Sequence, residues 1–87
     1  MKLNTDSTII DVRTPQEFVS QHVPGAINVP LDQLPNQFED LKVLPKPIVA
    51  YCRSGNRSGM AVAILKQYGI SEVINGGGID DMLMATK

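Results

Sequence analysis

The run Ile48-Val49-Ala50-Tyr51-Cys52-Arg53-Ser54-Gly55-Asn56-Arg57-Ser58 constrains this chain more than any other stretch. A short apolar strand ends on the protein's only cysteine. A polar turn follows over positions 52–57, and Ser58 opens an alanine-rich helix. A strand that feeds directly into a helix is one unit of an α/β sheet whose faces are covered. The turn also aims backbone N–H groups and the positive end of a helix dipole at one sulfur, which favours the nucleophilic thiolate. A cysteine kept for packing sits inside an apolar run. Here the five residues after it are polar or glycine, two of them arginine. Cys52 therefore reads as a catalytic nucleophile in an electropositive, partly exposed turn.

The flanking sequence repeats the strand–helix alternation. Thr8-Ile9-Ile10-Asp11-Val12 is a β-branched strand, and Thr14-Pro15-Gln16-Glu17 is a helix start, with Thr as N-cap and Pro at the first helical position. Phe18 and Val19 are expected to form that helix's buried face, and His22-Val23-Pro24-Gly25 ends it. Ala26-Ile27-Asn28-Val29 reads as a second strand. Residues 31–44 are helical in part, with Leu34, Phe38 and Leu41 at helical spacing. The helix over 58–68 presents Met60, Ile64, Leu65 and Tyr68 as its apolar stripe, with Gly69 just past its end. Glu72-Val73-Ile74 is a last strand, followed by Asn75, three glycines and a final helical turn over 80–84. The pattern predicts a single α/β domain over 1–87: a small parallel sheet of four to five strands with helices on both faces. In such sheets the sites lie at the carboxyl ends of strands, where Asp11, Cys52 and Gly76 to Gly78 all fall.

Composition removes several function classes. The 87 residues hold one core, 43% are hydrophobic, and the net charge of −1 offers no nucleic-acid or membrane-surface footprint. One cysteine excludes an internal disulfide and a two-cysteine redox cycle. One histidine and one cysteine cannot complete a tetrahedral metal set, so neither a metal nor another cofactor is expected. No stretch approaches the about 18 apolar residues that span a bilayer. The start Met1-Lys2-Leu3-Asn4-Thr5-Asp6-Ser7 lacks a secretory apolar segment. A cytoplasmic protein fits this reading, and the mature part of a periplasmic one would read the same.

Four motifs in order resemble the single-domain rhodanese family of sulfurtransferases, most closely its small phage-shock type. They are Ile10-Asp11-Val12-Arg13 with Glu17-Phe18, the run His22-Val23-Pro24-Gly25-Ala26-Ile27-Asn28-Val29-Pro30, the Cys52 loop, and Gly76-Gly77. The resemblance implies a ping-pong transfer. Cys52 takes sulfane sulfur from thiosulfate or a persulfide-type donor, and the resulting persulfide passes it to cyanide, a thiol or a thioredoxin-like protein. Arg53, Ser54, Gly55, Asn56, Arg57 and Ser58 would form the substrate-binding loop, with Arg57 ranked ahead of Arg53 for meeting the donor oxyanion. Two alternatives stand beside this reading. One is a rhodanese-like sulfur-carrier or docking module without catalysis. The other is a cysteine phosphatase or arsenate reductase, whose loops hold one more residue between cysteine and arginine than the four at 53–56.

Other polar residues read as support. Asp11 and Arg13 brace the loops, since persulfide exchange removes no proton from carbon. Glu17 complements its helix dipole, Ser58 caps its helix, and His22 holds a helix C-terminus. Gly77, within the glycine run, marks a close backbone approach beneath the Cys52 loop. The run lacks the spacing of a dinucleotide fingerprint. Ile79, Asp80, Asp81 and Met82 stand where the family often has an aromatic residue, and Met82 and Met84 read as packing.

Overall fold

The computed structural model describes residues 7–85. The N-terminal segment over 1–6, read above for its missing apolar stretch, lies outside them. Four parallel strands form one sheet in the order β2-β1-β3-β4: β1 is Thr8–Asp11, β2 Ile27–Asn28, β3 Ile48–Cys52 and β4 Val73–Gly78. Helices α1 (Pro15–Ser20), α2 (Leu34–Lys42, preceded by a 3-10 turn at Leu31–Gln33), α3 (Asn56–Gln67) and α4 (Ile79–Ala85) follow the strands in turn.

Side-chain alternation along β3 assigns the two faces. Ile48, Ala50 and Cys52 point into a core shared with Ile10, Leu34, Leu41, Ala61 and Leu65, beneath α2 and α3. Val49 and Tyr51 point the other way, into a smaller core with Val23, Ile79 and Met82 beneath α4. A strand buried on both faces must be apolar throughout, and every residue of β3 is buried. The chain runs outward from β1 to β2, then crosses back to β3 on the opposite side of β1. The strand order therefore reverses between β1 and β3, the point where open α/β sheets hold ligands. Asp11 and Cys52 end those two strands.

Several local expectations shift. Phe18 and Val19 are not a buried face: α1 has no buried residue, and Val19 is 82% exposed. The seam of α3 runs through Ser58, Ala61 and Leu65, whereas Met60 and Tyr68 face outward. Tyr68 instead stacks on Phe38 of α2, ring centroids 4.7 Å apart. The second strand is shorter than read, and the glycines read as following β4 belong to it. They carry an irregularity in register: Ala50 pairs with Asn75 but Tyr51 pairs with Gly77, so Gly76 is an extra residue. Its space is already taken, because a Cβ there would lie 2.6 Å from Met82 Sδ and 2.9 Å from Val49 Cγ1.

Candidate active site

The turn after Cys52 is tighter than its sequence suggests. Only Arg53, Ser54 and Gly55 separate β3 from α3, which starts at Asn56, not Ser58. Gly55 caps the helix at φ 101°, a left-handed backbone that favours glycine. Ser58 is thus not the N-cap but the third helical residue, and its side chain is fully buried under the loop. The consequence is electrostatic. The first amides of α3 have no partners within the helix, and they sit beside the sulfur.

Cys52 Sγ accepts the Gly55 N–H at 2.9 Å and lies 3.5 Å from Ser58 Oγ. The residue is 1% exposed, so the expectation of a partly exposed cysteine gives way to a recessed one. Burial pushes the thiol up. The Ser58 hydroxyl and the amides of Ser58, Ser54 and Gly55 outweigh it, and the thiol ends below its ordinary range. A packing cysteine would lack those donors.

The donors are themselves held. The single hydroxyl hydrogen of Ser58 is shared, since Oγ lies 2.7 Å from Asn75 Oδ1 as well as 3.5 Å from Cys52 Sγ. Asn75 Oδ1 also accepts the Gly77 N–H at 2.9 Å. Asn75 Nδ2 donates to the Gly55 carbonyl at 3.2 Å, so both ends of that amide are committed. Gly77, at φ 88°, backs onto Gly55. Gly78 passes so close to the loop that a Cβ would fall 2.5 Å from the Arg53 carbonyl oxygen. Asn75 went unread in the sequence; its one signal is a polar residue before glycines at a strand end.

On the opposite face, Asp11 is fully buried and fully bonded. Its carboxylate accepts the Arg13 N–H at 2.9 Å, Arg13 Nε at 2.9 and 3.1 Å, Arg13 Nη2 at 2.7 Å and the Tyr51 hydroxyl at 2.7 Å. Arg13 also donates to the Gln21 carbonyl, and Tyr51 accepts the Val23 N–H at 3.0 Å. Burial first, then the bond to Asp11, pushes Tyr51 up to about 12. This network ties the ends of β1 and β3 to the turn after α1. It leaves Asp11 no free lone pair for chemistry at Cys52.

Arg57 and Arg53 part company. Arg57 donates Nη1 to Glu17 Oε1 at 2.7 Å and Nη2 to Glu17 Oε2 at 3.1 Å, a two-pronged pair across 40 residues. The bond to Arg57 chiefly, with Thr14 assisting, brings Glu17 down to about 2. Glu17 is thus more than a dipole complement, and no local signal forecasts so distant a partner. Arg53 is exposed and lines a cavity of about 400 Å³ with Arg13, Glu17, Gln21, Ile79 and Asp80. His22 is not brought into this constellation by its contacts: Nδ1 bonds the Phe18 carbonyl at 2.8 Å, and its ring stacks on Phe18. Among the described residues no cluster of ligating side chains could hold a metal ion.

A parallel α/β sheet thus carries one recessed cysteine, cradled by helix-start amides at the strand-order reversal. A profile described as "Rhodanese-like domain" matches residues 1–84, and this chain belongs to the rhodanese family. It is 37% identical over 83 residues to the thiosulfate sulfurtransferase PspE of Escherichia coli K12, covering 86% of this chain and 73% of PspE. It is 33% identical over 82 residues to the thiosulfate:glutathione sulfurtransferase of Saccharomyces cerevisiae, covering 80% of this chain and 59% of that one. Among solved structures it resembles a rhodanese with anions from E. coli at a TM-score of 0.80 and 36% identity, covering 86% of this chain and 89% of the other.

Proposed function

We propose that the protein is a sulfurtransferase that carries sulfane sulfur on Cys52. The carrying observation is the Sγ atom held 2.9 Å from the Gly55 amide at the head of α3, where a thiolate and then a terminal persulfide sulfur are stabilised as anions. The thiolate attacks the outer sulfur of thiosulfate; the Sγ–S bond forms as the S–S bond of the donor breaks, and sulfite leaves with the electron pair. An acceptor nucleophile then attacks the terminal sulfur and Cys52 leaves as thiolate. Cyanide gives thiocyanate, and a thiolate gives its own persulfide. Glutathione, which the name of the yeast relative includes, is an acceptor of this kind. A thioredoxin-like dithiol is another: it closes to its disulfide and releases hydrogen sulfide. No proton leaves carbon in either half, so no further base is required.

The loop argues against phosphate chemistry. Only three residues bridge β3 and α3, and the loop carries no carboxylic acid to protonate a leaving group. The test is mass measurement after thiosulfate treatment, paired with thiocyanate formation in steady state. Wild type gains one sulfur atom and turns over, whereas Cys52→Ser gains none and falls to background. Retained transfer in that variant, or faster cleavage of aryl phosphates by wild type, overturns the reading.

A further inference from the structure

The charges around the Cys52 loop are unevenly cancelled. Arg13 is matched by Asp11 at 2.7 Å, and Arg57 by Glu17 at 2.7 Å. Among the described residues Arg53 has no ion pair, and it shares its cavity with the carboxylates of Glu17 and Asp80. Glu17 is held rigidly for its task. Its Oε1 accepts the Thr14 N–H and the Thr14 hydroxyl, each at 3.1 Å, while its own N–H donates to Thr14 Oγ1 at 3.3 Å. This reciprocal cap points the carboxylate at the start of α3. Neither α1 nor its exposed Val19 has a packing reason to be anchored there.

We propose that Glu17 is a specificity-determining residue: by clamping Arg57 it removes one positive charge from the mouth of the Cys52 loop and weights the site toward donors of lower negative charge. The proposal rests on the sulfurtransferase reading and names which donors that site prefers. A sulfane-sulfur donor brings one or two negative charges to the mouth. Thiosulfate carries two and an alkyl thiosulfonate one, although both present a sulfur on a sulfonyl group. A dianion gains more from each uncancelled cation. With Arg13 and Arg57 both neutralised, the discrimination against the dianion is set by Glu17. Arg57 then acts through the local field and not by touching the donor, reversing the order expected from sequence.

The experiment compares kcat/KM for thiosulfate and methanethiosulfonate, with cyanide as acceptor, in four variants. Both loadings balance: the Cys52 thiolate gains the outer sulfur, and sulfite or methanesulfinate departs. Glu17→Gln keeps the cap, because glutamine serves the same position, and removes the charge together with one of the two hydrogen bonds from Arg57. It is expected to raise the thiosulfate-to-thiosulfonate ratio about fivefold at low salt, with the gain shrinking as salt is added. Arg57→Ala is expected to lower the ratio, since it leaves the Glu17 carboxylate uncancelled. The double variant restores the net charge and returns the ratio near wild type, and Glu17→Asp, which keeps the charge on a shorter stem, holds the ratio below that of Glu17→Gln. A purely structural Glu17 would depress both donors alike and leave the ratio unmoved, which overturns the proposal. So does a double variant that follows Arg57→Ala, because Arg57 would then contact the donor directly. If wild type takes sulfur from neither donor, the sulfurtransferase reading itself falls, a result distinct from transfer with an unmoved ratio.

Discussion

Cys52 meets two opposed demands, burial that disfavours its anion and donors that favour it. The donors prevail, so the thiolate fraction rises as pH passes a value below the ordinary thiol pKa of about 8.5. Alkylation of Cys52 by iodoacetamide is expected to reach its plateau at lower pH than a free thiol does. A rate still climbing in parallel with the free thiol contradicts the cradle. Ser58→Ala, which removes the 3.5 Å hydroxyl, is expected to move the midpoint upward. On the other face, Tyr51 donates to Asp11 and accepts from Val23, both buried. Tyr51→Phe leaves the Val23 N–H without its acceptor and takes one bond from Asp11, which keeps those from Arg13. It is expected to cost about 1–3 kcal/mol in a denaturant titration. An unchanged midpoint would mean that the network is not holding β1 and β3 together.

Between β4 and the loop, the spacing is set by glycine. Gly78→Ala puts a methyl 2.5 Å from the Arg53 carbonyl oxygen, and backbone on both sides leaves nothing flexible to yield. The expected outcome is a loss of about 1–3 kcal/mol in thermal or urea unfolding, together with slower persulfide formation as the loop is pushed off its amides. The elements themselves were largely legible: Thr14-Pro15 starts α1, Gly69 ends α3 at φ 95°, and the apolar run 48–51 becomes β3. Cys52 and its loop were legible for the same local reason. What hid was non-local. The start of α3 depends on Gly55 turning left-handed, which moved Ser58 from a cap into the floor of the site. Glu17 meets Arg57 across 40 residues, and Asn75 meets Ser58 across 17, so neither pairing leaves a periodicity to read. Met60 and Tyr68 look like seam residues because helical spacing alone does not say which stripe faces the sheet.

At the scale of the molecule, the two cores are opposite faces of one sheet, and β3 supplies residues to both. Sharing that strand, they are expected to unfold together. Heating followed by far-ultraviolet dichroism, and separately by the near-ultraviolet tyrosine signal, to which Tyr51 on one face and Tyr68 on the other both contribute, is expected to give superimposable transitions. Separated midpoints would show that tertiary packing and secondary structure are lost in separate steps. The recessed sulfur has a consequence for crowding. A disulfide between two copies would need their sulfurs about 2.05 Å apart, and each lies 1% exposed behind its own loop. Concentrated protein is therefore expected to stay free of Cys52-linked pairs, and each chain then keeps its own thiol available whatever the number of its neighbours.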